Sequence, residues 1–153
     1  MDKRQKIEEA FERMEHCQIV SEYLRLNDSI TEKKLAVRKN YVNLESGEKP
    51  LFMVDTIRTG LVVTDRNIYY KCMKIKLLFR SISMFMSSRN MGKIALDDIH
   101  EISIGKPVFD MTTYCGHRFS INGQVVGTLI LGGAYTFDVN LVENLELLFK
   151  ALV

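Results

Sequence analysis

Cys115-Gly116-His117 sets a nucleophile two residues from a base. A catalytic thiol needs a base beside it and a third group that orients the base. At i and i+2 on a strand the two side chains share a face, but no orienting acid accompanies them, so Cys115 reads as a packed or surface thiol. His16-Cys17 and Cys115-Gly116-His117 are too sparse to form a four-ligand zinc site, and no pair sits at a metal-binding helix spacing. Asp97-Asp98, followed by His100-Glu101, is the densest polar cluster. Paired carboxylates do acid–base work where a pocket drives their pKa values apart. No such pocket is written in the sequence, and the cluster reads as a solvated turn. The glycine-rich "LGGAYT" at 131–136 lacks the lysine and the spacing of a phosphate loop. Tyr69, Tyr70 and Lys71 alternate faces on a strand instead of building a stacking platform for nucleic acid. The expectation is a protein that is not an enzyme, takes no cofactor or metal and binds no nucleic acid.

The residues with chemistry still to be assigned lie in "KIKLLFRSISMFMSSRN", 74–90. Lys74, Lys76, Leu78, Phe79, Arg80, Ile82, Phe85, Met86 and Arg89 are the candidate contacts with a partner or a membrane. Two periodicities compete here. Ile75, Leu78, Phe79, Ile82, Phe85 and Met86 make a helical stripe, with Lys76, Arg80, Ser83 and Ser87 on another side, as in a basic amphipathic helix at a membrane interface or in a partner groove. Read as strands, the same residues put apolar groups on both faces, which suits a hairpin covered on both sides. Between Ile68 and Leu96 the bases Lys71, Lys74, Lys76, Arg80, Arg89 and Lys93 meet no acid. Met73, Met84, Met86 and Met91 also fall here, and methionine surfaces adapt to varied partners.

The elements that position these residues divide the chain in two. Residues 1–45 read as a helical N-terminal extension. Ile7, Ala10, Phe11, Met14 and Cys17 form one apolar face, which Val20 and Leu24 extend. Ser29 and Glu32 have capping-box spacing for a second helix with a Val37, Tyr41 and Leu44 stripe, stopped at Ser46-Gly47. Such faces must dock on the following domain or on a second copy. From Gly47 the grammar is that of strands: 51–56, 60–65, 68–74, 93–99 and 100–106, then a hairpin at Asn122-Gly123, the strongest short turn signal present. Leu141, Val142, Leu145, Leu148, Phe149 and Leu152 stripe a closing helix, with Asn140 and Glu143 as a capping pair. The fold class that follows is α+β: N-terminal helices, then a strongly bent antiparallel barrel of about seven strands plugged by the C-terminal helix.

The totals agree with a single core of this kind. An apolar content of 46% and a charged content of 26% are those of an ordinary globular chain, and a net charge of +2 carries no general affinity for nucleic acid. Residues 119–137 are uncharged for the length of a membrane span, but Ser120, Asn122, Gln124 and the glycines make them two strands and a turn. The opening "MDKRQKIEEAFERMEH" has no apolar signal region, and three cysteines make no disulfide framework. The expected setting is cytoplasmic, peripheral to the inner face of the membrane if 74–90 touches lipid.

"GEKPLFMVDTIRTGLVVTDRNIYYK", "GKIALDDIHEISI", "ING" and the leucine-rich closing helix together resemble a bacterial pleckstrin-homology-like (PH-like) domain of the YokE or GRAM type. The matching positions are Gly47 and Glu48; Gly60, Thr64, Asp65, Ile68 and Tyr69; and Ile94, Asp98 and Ile99. The resemblance covers residues 46–153 and implies a PH-like barrel with no catalytic residue among its motifs. The N-terminal helices and the apolar stretch after the third strand lie outside the family pattern, and no lipid-recognition motif carries over. The resemblance implies a binding or assembly module acting through protein contacts or homo-oligomerisation, with an anionic membrane surface as the alternative partner of 74–90.

Overall fold

The structure, a computed structural model, describes residues 2–16, 23–56, 58–78, 81–133 and 136–153, and of residues 15, 16, 28, 75–78, 81–88 and 110 the backbone alone. It is α+β, a strongly curled antiparallel half-barrel with a helix at its C-terminal end. The strands are β1 (Leu24–Leu26), β2 (Pro50–Asp55), β3 (Gly60–Thr64), β4 (Asn67–Leu78), β5 (Ser81–Ala95), β6 (Ile102–Asp110), β7 (Thr113–Ile121) and β8 (Gln124–Leu129). Along the sheet they run β1-β2-β3-β4-β8-β7-β6, and β5 branches off by pairing with β4.

Alternation along β2–β4 explains why these strands are buried on both faces. Phe52, Val54, Leu61, Val63, Ile68 and Cys72 point into the main core, while Met53, Val62 and Tyr69 point the other way into a second cluster with Ile30, Tyr41 and Val42. The N-terminal segment supplies a cover for each face. Helix α1 (Lys3–His16) begins at Asp2, whose carboxylate accepts from the Gln5 amide at 2.8 Å, and sends Ile7, Ala10 and Met14 into the main core. There it meets α3 (Val139–Leu152), which buries Leu141, Leu145, Leu148, Phe149 and Leu152. Residues 30–44 cover the outer face of β2–β4. The expected apolar stripes of the first and last helices are therefore present, and the N-terminal segment docks on its own chain.

Several expected details differ, each for a local reason. Leu24 does not extend the first helix but opens β1, where it pairs with Val54, so a sheet edge takes it from the helix. Cys17 and Val20 lie outside the described residues. The second helix, α2, is only Glu32–Val37; Thr31, not Ser29, caps it, and Val37 is 76% exposed. It stops where Arg38 turns aside, its guanidinium donating to the Lys34 carbonyl and pairing with Asp55 on β2. Tyr41 and Leu44 reach the sheet from the turn that follows instead of from a helix face. Asp138, not Asn140, caps α3, accepting from the Asn140 and Leu141 amides at 3.0 and 3.3 Å. The segment 93–99 is the end of β5 plus a 3-10 turn, Leu96–Asp98.

Candidate functional site

Strands β4 and β5 outrun the rest of the sheet, at 12 and 15 residues against five or six in β2, β3 and β8. At their root β4 has neighbours on both edges: β5 on one, and on the other β3 up to Lys71, then β8 through Met73 and Thr128. The Thr128 hydroxyl donates to the Met73 carbonyl at 3.3 Å. Met73 is only 4% exposed, whereas Lys74, the next residue, is exposed. From there β4 and β5 continue as a two-stranded arm that no other described strand joins.

Within the arm the ladder slips. Pairing is regular from Asn67↔Ala95 to Lys74↔Ser88, then resumes at Lys76↔Ser83, Leu77↔Ile82 and Leu78↔Ser81. Residues 84–87 thus face Ile75 alone, a bulge that bends a ribbon and raises its twist. Met84, Phe85 and Met86 sit in it. The helical alternative for 74–90 is overturned, because a hairpin already zipped at its root satisfies its backbone by extending the same ladder. Of the candidate contact residues, Lys74 and Arg89 are exposed; Lys76, Leu78, Ile82, Phe85 and Met86 are strand positions of the arm; Phe79 and Arg80 lie outside the described residues. Among the bases, Lys93 does find an acid. Its ammonium lies 3.2 Å from the Glu45 carboxylate and 6.0 Å from the centre of the Tyr69 ring, a pairing hidden in the sequence by its long separation. An open cleft of about 260 Å³ lies beside it, lined by Tyr41, Tyr69, Met91 and Lys93 among others.

Thr64 and Tyr69 converge on Glu48. This carboxylate, 7% exposed, accepts from the Thr64 hydroxyl, the Asn67 amide (2.9 Å), the Tyr69 hydroxyl (2.8 Å) and the Glu45 backbone N–H (2.7 Å). Burial alone raises a carboxyl pKa, but these four donors outweigh it and hold Glu48 below its ordinary value. Asp65 and Lys49 exchange two further bonds, each at 2.9 Å. Thr64 also accepts from the Arg66 and Asn67 amides, tightening the β3–β4 turn without any left-handed residue. All these partners belong to the protein itself, so the arrangement ties β2, β3 and β4 together at one end.

The other candidates are dispersed. Asp97, Asp98, His100 and Glu101 are exposed around a turn whose backbone is gripped by Asn122. The Asn122 side chain accepts from the His100 and Glu101 amides (2.6 and 3.1 Å) and donates to the Asp98 carbonyl (2.7 Å). Asn122 and Gly123 both have positive φ, as a tight two-residue hairpin turn requires. Cys72 is fully buried, and burial pushes its thiol up to about 12. Cys115 is buried with its Sγ 3.4 Å from the Thr113 carbonyl. His117 bonds instead to Tyr114, its Nδ1 lying 2.5 Å from the phenol oxygen. Gly116, at φ +107°, breaks the alternation between them, so the i, i+2 rule picked the wrong partner. No group of three metal-binding side chains occurs among the described residues. No helix among them is long and apolar enough to cross a membrane, and residues 119–137 hold the end of β7, β8 and the Gly132–Phe137 bridge. No family model matches the chain, and no curated protein or solved structure shows significant similarity to it.

Proposed function

We propose that this chain is a non-catalytic, PH-like binding and assembly module, that its working surface is the distal half of the β4–β5 arm, and that a second copy of the chain is its first partner. The observation that carries this reading is the departure of the arm from the body at Lys74, with a sequence of bases and large apolar residues and no acid. A two-stranded ribbon is marginally stable by itself. Apolar residues along it gain from a second surface that takes them out of water. The PH-like part of the reading is supported by the curled antiparallel sheet, the helix at its end and the convergence of Glu48, Thr64 and Tyr69. The non-catalytic part is supported by the buried Cys72 thiol and by the separate engagements of Cys115 and His117.

The test replaces residues 75–87 with Asn-Gly, a turn that closes Lys74 onto Ser88. Light scattering on the parent chain is expected to show a concentration-dependent oligomer, and the shortened chain to be monomeric with an unchanged unfolding midpoint. A parent that stays monomeric up to millimolar concentration ends the assembly reading. The exposed Lys74 and Arg89 favour one further reading, contact with an anionic bilayer, in which each base near the surface contributes about 1 kcal/mol. Flotation with phosphatidylserine vesicles then exceeds flotation with phosphatidylcholine alone, and the excess fades with added salt. Equal flotation on both vesicle types removes that reading.

A further inference from the structure

We propose that Tyr114 and His117 form an acid-sensitive latch, which holds the segment leading into α3 against the base of the β4–β5 arm while His117 is neutral and releases that segment when His117 takes up a proton. The latch stands whether or not the arm binds a partner.

The Leu131 backbone N–H donates to the Tyr114 hydroxyl oxygen at 3.1 Å, and His117 Nδ1, 2.5 Å away, is the acceptor in reach of the hydroxyl's own proton. An accepting Nδ1 puts the neutral imidazole's proton on Nε2. The imidazole is 2% exposed and sits edge to face with Phe137 (4.9 Å between ring centres) and with Tyr114 (5.5 Å). Tyr114 and Phe137 pack in turn with Ile130 and with Met73, the last residue of β4 held by the body before the arm departs. One aromatic cluster therefore joins the segment leading into α3 to the base of the arm.

A second proton on His117 sets the Nδ1–H against the phenol O–H. If Tyr114 turns to accept it while still accepting from Leu131, the phenol proton points into Phe137, Ile130 and Met73, whose side chains offer no acceptor stronger than a thioether. Among the described residues, no acid is shown paired with His117 to neutralise the new charge. On β7 itself Arg118 is an exposed cation; on β6, where Pro107 pairs with His117, Lys106 is another; on β4, Lys71 and Lys74 are cations too. β8 offers the uncharged Leu129 opposite His117. Asp138, beside Phe137, keeps its charge but turns its carboxylate to the amides of Asn140 and Leu141 at the start of α3. Asp110, described in its backbone alone, pairs with Thr113, four positions along β7 from His117. The thiols of Cys72 and Cys115 are buried, and burial pushes the Tyr114 phenol up to about 12, so it stays protonated.

Burial also lowers the His117 pKa from 6.5. The sign follows. The closed latch binds fewer protons than the open one, so its stability is complete above about 6.5 and falls as pH drops below that value towards the depressed one, by up to about tenfold in the opening equilibrium per pH unit. Exchange of the Leu131 amide, corrected for its intrinsic rate, reads opening directly, with the Leu145 amide in α3 as the global reference. The expected result for the parent chain is a His117 ring titration below 6.5 and Leu131 protection that falls with acid while Leu145 protection holds. His117→Asn keeps an acceptor but cannot titrate, and its Leu131 protection is expected to be flat with pH. The proposal is overturned if His117 titrates at or above 6.5, or if Leu131 and Leu145 lose protection together. It is equally overturned if His117→Asn keeps the parent's pH dependence. Should that variant not fold, the two measurements on the parent decide alone.

Discussion

Glu48 gathers four donors onto one buried carboxylate, so its loss strands them all. Bonds to a charged group contribute about 1.5–3 kcal/mol each in isolation, and water entering the space relieves part of the loss. Glu48→Ala is expected to lower unfolding stability by about 3 kcal/mol in urea titration; a loss within experimental error would show that the network is incidental. The pH dependence has a fixed sign. The folded pKa lies below 4.5, so Glu48 stabilises fully above that value and the contribution disappears as pH falls through the depressed folded value. Glu48→Gln, which cannot titrate, is expected to flatten the acid limb of the stability curve. At this scale the sequence was legible in part. Glu48, Thr64 and Tyr69 stand out as a pattern, but that they meet on one carboxylate depends on the β2–β3–β4 register, which no local signal specifies. Tyr114 was missed as the partner of His117 because one positive φ at Gly116 shifts which neighbours share a face.

Among the elements, turns were the most legible and helix ends the least. Asn122-Gly123 announces itself because few residue pairs tolerate two successive left-handed conformations. Its second role, holding the Asp98–Glu101 turn, was not visible, since those contacts span more than twenty residues. The two roles can be separated. Asn122→Gly keeps the turn and loses the side-chain bonds, at an expected cost of about 2 kcal/mol, with Asn122→Ala adding about 1 kcal/mol of backbone strain. Equal costs for the two variants would mean that the left-handed conformation carries no penalty here. Helix caps went to Thr31 and Asp138 instead of neighbours with equally suitable side chains, because tertiary packing decides where a helix may begin. For the arm, helical and strand periods were both present in 74–90; the long-range pairing of Asn67 with Ala95 settles the matter in favour of strands.

Over the whole molecule, the boundary near residue 45 separates two sequence grammars, yet Ile7, Ala10 and Met14 share one apolar core with Leu61, Phe119 and Leu145. Ile7 is fully buried, and Ile7→Ala is expected to cost about 3 kcal/mol in a single cooperative transition detected alike by helix and sheet signals. Two separate transitions would instead mean that α1 comes away independently. The packing of α1 against α3 also bears on how the chain is made. Helix α1 leaves the ribosome with its apolar face bare, and its partner does not exist until everything from His16 to Val139 has been translated. At about 5–20 residues per second that wait is on the order of ten seconds, long enough for a chaperone to bind the nascent face. Helix α1 is thus made well before it can find its place.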